Sequence, residues 1–324
     1  MKTMYGGGDT FAGVKSADAL DPRSYAGADV LIVGAPFDGG TSHRPGARFG
    51  PHAIRTTDYL PLNGSRPHLG MGVDPLIDLR VLDGGDVLMP AGEIERSLYR
   101  LEQVVGDAVG KGVFPLVLGG DHSIGLPDVT GAARHHPHGR LGLVHFDAHS
   151  DAAENHFGSA LGHGTWVRRL VEADVVPGER IVQIGQRNVG SPAGSKWRLD
   201  HGIRSYEMGE LVKRGIDACL DEVFAVLAGA CDAVFLSIAL DVVDPAFAPA
   251  VSTPEPGGIT SRELLDAAAR CALELPLAAT DVVELAPPYD GPAQATALLA
   301  NRLALEVLSA VCLRRRRPGG SASA

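Results

Sequence analysis

Three ionisable side chains stand at two-residue intervals just after an apolar run: Asp147, His149 and Asp151. The run itself, LGLVHF at positions 141–146, has the composition of a buried strand. Alternate residues of an extended chain face the same side, so the two carboxylates and the imidazole are expected to project together from the strand end. A divalent cation would satisfy all three, whereas burying them without compensation is costly. The spacing therefore predicts a metal site. On this stretch alone, the alternative is a strand that runs into a polar turn.

Other strands are needed to position such a site, and several predicted strands end in polar residues. Short apolar runs alternate with segments of helical periodicity, without the period-two pattern of a half-exposed sheet. This predicts an α/β fold of three layers, with a mainly parallel eight-stranded sheet and helices on both faces. Function in such folds lies beyond the carboxyl ends of the strands. His122 follows the third predicted strand, the Asp147 group the fourth, Asp241 with Asp244 the seventh, and Glu284 ends the eighth.

Composition limits the class of protein. The 324 residues are 45% hydrophobic and 21% charged, with a net charge of −10 and four scattered cysteines without a CxxC pair. We expect a single domain over 1–324, with an irregular N-terminal arm at about 1–27 and a disordered C-terminal tail at about 314–324. The basic cluster at 314–317 is expected to close a final helix.

Charge and hydropathy also limit partners and location. The acidic balance argues against nucleic-acid binding and suits a small cationic substrate. The sequence shows no signal segment and no apolar run of about 18 residues, so we expect a cytoplasmic protein that does not enter membranes. The cysteines are expected to be reduced thiols rather than zinc ligands or disulfides.

Several motifs, in order along nearly the whole chain, resemble those of the ureohydrolases, the arginase and agmatinase family. The early loop at 34–50, GAPFDGGTSHRPGARFG, is similar to the agmatinase branch. The resemblance implies the three-layer arginase-like fold. The remaining motifs are GGDHS at 119–123, DAHSD at 147–151, HGT at 163–165, LDVVDPAFAP at 240–249, TPEPGG at 253–258 and DVVELAPPYD at 281–290.

The resemblance implies a pair of Mn²⁺ ions. One ion would be held by His122, Asp147 and Asp151, and the other by Asp147, His149 and Asp241, with Asp147 bridging the two. Oxygen-rich sites with some imidazole suit Mn²⁺ or a similar ion, and water between two cations loses its proton more readily.

The resemblance also implies an activity, the hydrolysis of a guanidino compound to an amine and urea. Glu284 would hold the planar guanidinium through charge-assisted hydrogen bonds. His163 would carry a proton towards the leaving amine. Together with Asp147, these two residues form the expected catalytic set. A homo-oligomer, either a trimer or a hexamer, is implied as well.

One position departs from the family pattern Ser-x-Asp-x-Asp, because Ala239 stands between Ser237 and Asp241 where an aspartate that touches both metals is expected. A methyl group supplies no ligand, so we expect weak or incomplete metal loading and low activity. Three interpretations remain open. Ala239 inactivates an otherwise working ureohydrolase; or Asp147, His149 and Asp241 form a single-metal site similar to that of histone-deacetylase-type amidohydrolases; or the chain is a non-catalytic homologue.

The substrate is less well defined by the sequence. The arginase branch is expected to have an asparagine two residues after Asp151, where this chain has Ala153, so arginine is disfavoured. Agmatine, guanidinobutyrate and related guanidino metabolites remain open. Selectivity is expected from the loops at 152–162 and 187–197 and the arm at 1–14. Three polar residues either face a substrate tail or bond their own loops: His156, Arg187 and Asn188.

Overall fold

A computed structural model of the protein describes residues 9–136, 140–187 and 190–317. Its centre is one sheet in which every pair of neighbouring strands is parallel. The strands are β1 (Lys15–Ser16), β2 (Val30–Gly34), β3 (Val81–Asp86), β4 (Phe114–Leu118), β5 (Leu141–Phe146), β6 (Ile181–Ile184), β7 (Arg204–Tyr206), β8 (Ala233–Ala239) and β9 (Leu277–Val283). Their spatial order is β1-β3-β2-β4-β9-β8-β5-β6-β7.

Helices cover both faces of the sheet. One apolar cluster joins the sheet to α1, α2 and α7 to α10, and a second joins the opposite face to α3, α4 and α5. This confirms the predicted three-layer α/β fold. The helices are α1 (Gly50–Thr56), α2 (Pro75–Asp78), α3 (Ile94–Gly110), α4 (Gly125–Ala133), α5 (Trp166–Glu172), α6 (Pro192–Asp200), α7 (Met208–Arg214), α8 (Ile216–Leu227), α9 (Ser261–Glu274) and α10 (Ala295–Arg316).

Local sequence accounts for these elements. All six residues of β5 are buried, as expected for a central strand of a parallel sheet covered on both faces. Helix α9 begins with a capping box, in which Thr260 Oγ1 accepts from the Glu263 N–H at 3.2 Å and the Glu263 carboxylate accepts from the Thr260 N–H at 2.8 Å. Helix α3 packs Leu101, Val105 and Ala108 against the sheet at helical spacing.

The structure refines the prediction at both ends of the chain. The arm predicted as irregular contains β1, which pairs with β3 at the edge of the sheet and raises the strand number from eight to nine. A strand of two residues is too short to produce a sequence pattern. At the other end, α10 continues to Arg316, so the basic cluster does close a helix. Residues 1–8 of the arm and 318–324 of the tail lie outside the described residues.

Helix α10 has the length and apolar composition that a membrane span would need, but 78% of its apolar window is buried inside the protein. It packs against α9 and carries Leu303, Val307 and Leu308 into the larger apolar cluster. These contacts are those of a core helix.

The strand order brings distant parts of the chain together. Strands β4, β9, β8 and β5 are consecutive neighbours at the middle of the sheet. Their carboxyl ends carry His122, Glu284, Asp241 and the Asp147 group, respectively. Because parallel strands end at the same edge, these side chains meet in one place.

Candidate active site

The five predicted metal ligands converge around Asp147. His122 Nδ1 lies 2.8 Å from Asp147 Oδ2 and 3.2 Å from Asp151 Oδ2. On the other side, His149 Nδ1 lies 3.1 Å from Asp147 Oδ1 and 3.3 Å from Asp241 Oδ2. Asp147 thus offers one oxygen to each group, which is the arrangement needed for a carboxylate shared by two cations.

Burial and mutual charge set the pKa values in this cluster. Burial alone would raise the pKa of Asp147, but hydrogen bonds from three imidazoles hold it well below its usual value. For His149 burial acts in the opposite direction and would lower the pKa, yet the carboxylates of Asp241 and Asp147 raise it to about 12. Burial and the negative charge of Asp147 raise the pKa of Asp241 to about 7. The negative charge of the buried carboxylates is therefore balanced only by protons on the neighbouring imidazoles.

The donor set fits a divalent cation. Among the residues that the structure describes, no Lys or Arg nitrogen lies within 4.0 Å of the carboxylates of Asp147, Asp151 or Asp241. The Ser237 hydroxyl donates to Asp281 Oδ1 at 2.8 Å, so it accepts from His122 Nε2 at 2.8 Å. Without a cation, His122 Nδ1 carries a proton towards the carboxylates; once a cation replaces that proton, the Nδ1 lone pair already points at the site, as a metal ligand requires.

His145 is a residue of the site that sequence reasoning missed. Gln183 Nε2 donates to the Ser150 carbonyl at 2.7 Å, which fixes the orientation of the amide, and its other hydrogen points to His145 Nδ1 at 3.0 Å. His145 therefore carries its proton on Nε2 and donates to Asp147 Oδ2 at 3.0 Å. It orients the shared carboxylate and has no lone pair free on that nitrogen. The signal was present: the two-residue spacing of Asp147, His149 and Asp151 extends back to His145.

Asp151 is held by its backbone and by an indole. Its φ of +49° is in the left-handed region, which costs a residue other than Gly roughly 1 kcal/mol. Trp166 Nε1 donates to its Oδ2 at 2.8 Å. The strain and the indole bond together turn the carboxylate towards His122.

Glu284 is buried and offers one unused oxygen. Its Oε1 accepts from the His122 N–H at 2.7 Å and from His163 Nδ1 at 3.2 Å. Its Oε2 is buried and has no partner among the described residues. The backbone is again left-handed, with φ at +71°. Burial would raise the pKa of Glu284, but the His163 charge lowers it, so the carboxylate is ionised and can accept a cationic donor.

His163 joins Glu284 to the loop at 34–50. Burial would lower its pKa, but Glu284 raises it to about 9. The Ser42 hydroxyl lies 2.7 Å from Nε2 and can accept its proton, while the Ser42 N–H, at 3.2 Å, faces the same nitrogen and opposes protonation there. The shorter hydroxyl contact and the adjacent carboxylate favour the protonated ring near neutral pH.

All seven predicted site residues line one cleft of about 660 Å³. The cleft extends from Glu284 and the Asp147 group, past the loop that contains Ala153 and His156, to helix α6. His156 lines this cleft, whereas Asn188 lies outside the described residues. Arg187 bonds its own surroundings, as one of the two alternatives predicted: its guanidinium donates to backbone carbonyls that include those of Asp241, Glu255 and Pro256.

Ala239 lies in the row of residues next to the site. Phe146 pairs with Ile238, so the next step of the same register puts Asp147 beside Ala239, whose other neighbour is Val283. Ala239 is fully buried and belongs to the apolar cluster that contains Ile124 and Trp166. An aspartate at this position would face the predicted metal ligands, and the methyl group supplies no carboxylate to that set.

A second carboxyl group lies behind His122. Asp128 on α4 is fully buried, and neither of its oxygens has a partner among the described residues. Burial and the nearby charge of Asp281 raise its pKa well above the usual value. Asp281 Oδ2 likewise has no partner in the part of the chain that the structure describes. Asp128 is therefore held neutral inside the protein, at the back of the cluster.

Comparison with known proteins identifies the family. The Arginase family model matches residues 28–310. The chain is 37% identical to a guanidinobutyrase of Pseudomonas aeruginosa over 284 residues, 87% of this chain and 86% of that protein. It is 37% identical to a mitochondrial agmatinase of Gallus gallus over 286 residues, 88% of this chain and 82% of that protein. The solved structure of proclavaminate amidinohydrolase from Streptomyces clavuligerus superposes with a TM-score of 0.84 at 32% identity, covering 96% of this chain and 99% of that one. These matches, together with the site, show that the chain belongs to the arginase family.

Proposed function

We propose that the protein is an amidinohydrolase that splits a guanidino compound into an amine and urea with two Mn²⁺ ions. The observation that carries this proposal is the buried Oε2 of Glu284, which has no partner among the described residues and lies in the cleft that also holds the Asp147 cluster. An ionised carboxylate oxygen without a donor is a site for a cationic N–H group. Guanidino relatives support the same substrate class.

In this proposal His122, Asp147 and Asp151 hold one ion, and Asp147, His149 and Asp241 hold the other. Divalent cations at such a site stabilise developing negative charge and make water easier to deprotonate near neutral pH. His145, by donating to Asp147, keeps that carboxylate in place for both ions.

The chain's own residues bind the substrate and move the proton. Glu284 Oε2 accepts an N–H of the guanidinium and holds its planar carbon in one orientation. His163, with a pKa of about 9, gives a proton to the amine nitrogen as the C–N bond breaks. Guanidinium plus water then yields an ammonium ion and urea, with one C–O bond formed and one C–N bond broken.

Ala239 leads us to propose that metal loading and activity are impaired in this chain. The experiment that tests both the function and the impairment compares the parent with Ala239→Asp at saturating Mn²⁺. The variant is expected to bind Mn²⁺ at least about 10-fold more tightly, because it regains a ligand beside Asp147, and to release urea faster from a set of guanidino compounds. Metal content by elemental analysis provides a readout that does not depend on turnover.

Two outcomes would contradict this proposal. Two tightly held ions in the parent would show that Ala239 is no impairment. No urea from any guanidino compound in either protein would exclude the amidinohydrolase. A single-metal amidohydrolase is the second candidate, since Asp147, His149 and Asp241 still form a three-ligand group. It predicts one ion per chain and no gain from Ala239→Asp.

Substrate and assembly follow as further parts of the proposal. Ala153 lines the cleft where an asparagine is expected for arginine, so we propose agmatine, guanidinobutyrate or a related compound rather than arginine. A homo-oligomer, either a trimer or a hexamer, remains a prediction from the family resemblance, and a cytoplasmic location remains a prediction from the sequence.

A further inference from the structure

Two arginines line the cleft, and they differ in how their donors are used. The Arg187 guanidinium is fully occupied: its Nε and both terminal nitrogens donate to backbone carbonyls. Arg198, on helix α6, uses only one terminal nitrogen, which donates to Gln183 Oε1 at 3.3 Å and to Ser205 Oγ at 2.7 Å. Both acceptors are neutral. Within the described parts of the chain, its Nε is buried without a partner and its other terminal nitrogen has none.

Arg198 also lacks a close counter-charge among the described residues, and the exposed Glu207 acts on it only from beyond ion-pair distance. No carboxylate oxygen of the described residues comes within 4.0 Å of its nitrogens, whereas most arginines of this protein have such a partner. Its side chain is partly buried, and that burial lowers the pKa of Arg198. A partly desolvated guanidinium with free donors, on the wall of a cleft, is a site that favours a planar anion.

The position of Arg198 relative to the reacting end is set by the sheet. Gln183, which accepts from Arg198, donates to the carbonyl of Ser150, the residue between His149 and Asp151. Arg198 is thus two hydrogen bonds away from the Asp147 cluster, on the wall of the same cleft that Glu284 lines. A substrate with its guanidinium at Glu284 has its tail inside this cleft.

We propose that Arg198 binds the carboxylate of an acidic substrate tail, so that the substrate is an ω-guanidino acid. This rests on the proposed amidinohydrolase function. Arg198 then determines which end group is accepted, and Glu284 holds the guanidinium irrespective of the tail. The terminal nitrogen of Arg198 that no described residue uses can donate to a carboxylate oxygen, and the charge of the guanidinium repels an ammonium group.

An amine tail, as in agmatine, would need an acidic partner instead. Glu207 also lines the cleft, but it is solvent-exposed and keeps its hydration without a ligand. Glu255 is half-buried and lies 3.9 Å from His149 Nε2, next to the reacting end. Arg198, in contrast, is partly buried and has an unpartnered Nε among the described residues, so the charge in greater need of a ligand is the cation, and this favours an acidic tail.

The test measures binding to the full chain with Mn²⁺ by isothermal titration calorimetry. The probes are 4-guanidinobutanoate, agmatine and butylguanidine, which share the guanidinium and differ in the charge of the tail. Arg198→Gln removes the charge and keeps a hydrogen-bond donor for Gln183, and Arg198→Lys keeps the charge. The control is Lys196→Gln, which removes an exposed cation two residues away on the same helix.

Arg198→Gln is expected to weaken 4-guanidinobutanoate binding about 10- to 100-fold, with butylguanidine unchanged and agmatine unchanged or tighter. Arg198→Lys is expected to retain part of the preference for the acid, and Lys196→Gln all of it. A series from 3-guanidinopropanoate to 5-guanidinopentanoate then gives the chain length that reaches Arg198.

Other results would overturn the inference in distinguishable ways. Equal losses on all three probes would show that Arg198 only positions Gln183. Agmatine binding as tightly as the acid to the parent protein would exclude the carboxylate site while leaving the amidinohydrolase intact. No binding of any guanidino probe would reject both proposals together. Thermal unfolding of each variant shows whether the fold is retained.

Discussion

Asp128 should make the metal-free protein less stable as the pH rises. The residue is fully buried, neither of its oxygens has a partner among the described residues, and burial raises its pKa well above the 3.8 of an unfolded chain. Between these two pKa values the folded state holds a proton that the unfolded state has released. The free energy of unfolding therefore falls with rising pH, by roughly 1.4 kcal/mol per pH unit for one proton.

Asp128→Asn removes this titration and keeps the shape of the side chain. Relative to the parent, the variant is expected to gain up to about 3 kcal/mol between pH 5 and pH 7. Part of the fall remains, because burial raises the pKa of Asp281 as well. The measurement is urea unfolding at several pH values with EDTA present, so that the metal ligands titrate alike in both proteins. Asp107→Asn, an exposed change on the neighbouring helix α3, serves as the control.

Parallel pH profiles for the parent and Asp128→Asn would refute this reasoning, because they would mean that Asp128 finds a partner or solvent in the folded protein. A variant that loses stability relative to the parent as the pH rises would reverse the sign and refute it more directly.

Two further substitutions test the support behind the site. Ser237→Ala should leave the His122 Nε2–H and Asp281 without their shared partner, which should lower the free energy of unfolding by about 1–3 kcal/mol and the Mn²⁺ affinity about 10-fold. The control Ser309→Ala also removes a buried hydroxyl and should lower stability alone. Unchanged Mn²⁺ affinity in Ser237→Ala would contradict this role of Ser237. Gly120→Ala would place a Cβ 1.8 Å from the Phe37 carbonyl oxygen, so we expect little folded protein and a loss above about 3 kcal/mol by urea unfolding. The control Gly209→Ala, with no atom within 4 Å of the added Cβ, should be neutral or stabilising. A Gly120→Ala protein as stable as the parent would contradict the prediction and show that the backbone at Gly120 can move.

The fold class was predictable because it follows from composition and periodicity. Apolar runs such as 141–146, without alternation, indicate strands covered on both sides, and the structure has every residue of that run buried. The residues at the strand ends were predictable for a similar reason, since ionisable groups directly after a buried strand are costly to bury unless a partner or a ligand compensates their charge. The two-residue strand β1 and the exact end of α10 were not, because neither leaves a pattern in the sequence.

The support behind the ligands could not be read in the same way. Gln183, Ser237 and Asp281 lie inside strands and appear as isolated polar residues in apolar runs. Their function depends on which strands are neighbours and in what register, and a sequence shows neither. The role of Arg187 was open for the same reason. In the structure its guanidinium donates to surrounding backbone carbonyls, so it stabilises its own loops. The unused donors of Arg198 also become visible only when the whole cleft is assembled.

The register of the four strands β6, β5, β8 and β9 places Gln183, His145, Ser237 and Asp281 in one continuous line across the sheet. Sliding any one strand by a single residue would turn its polar member to the opposite face, where apolar helices pack. The proposed cation site would consequently form only when these four strands are correctly aligned. Folding intermediates with only some of these strands in place should have no appreciable affinity for Mn²⁺. The time at which Mn²⁺ binds during refolding would therefore report when the sheet is complete.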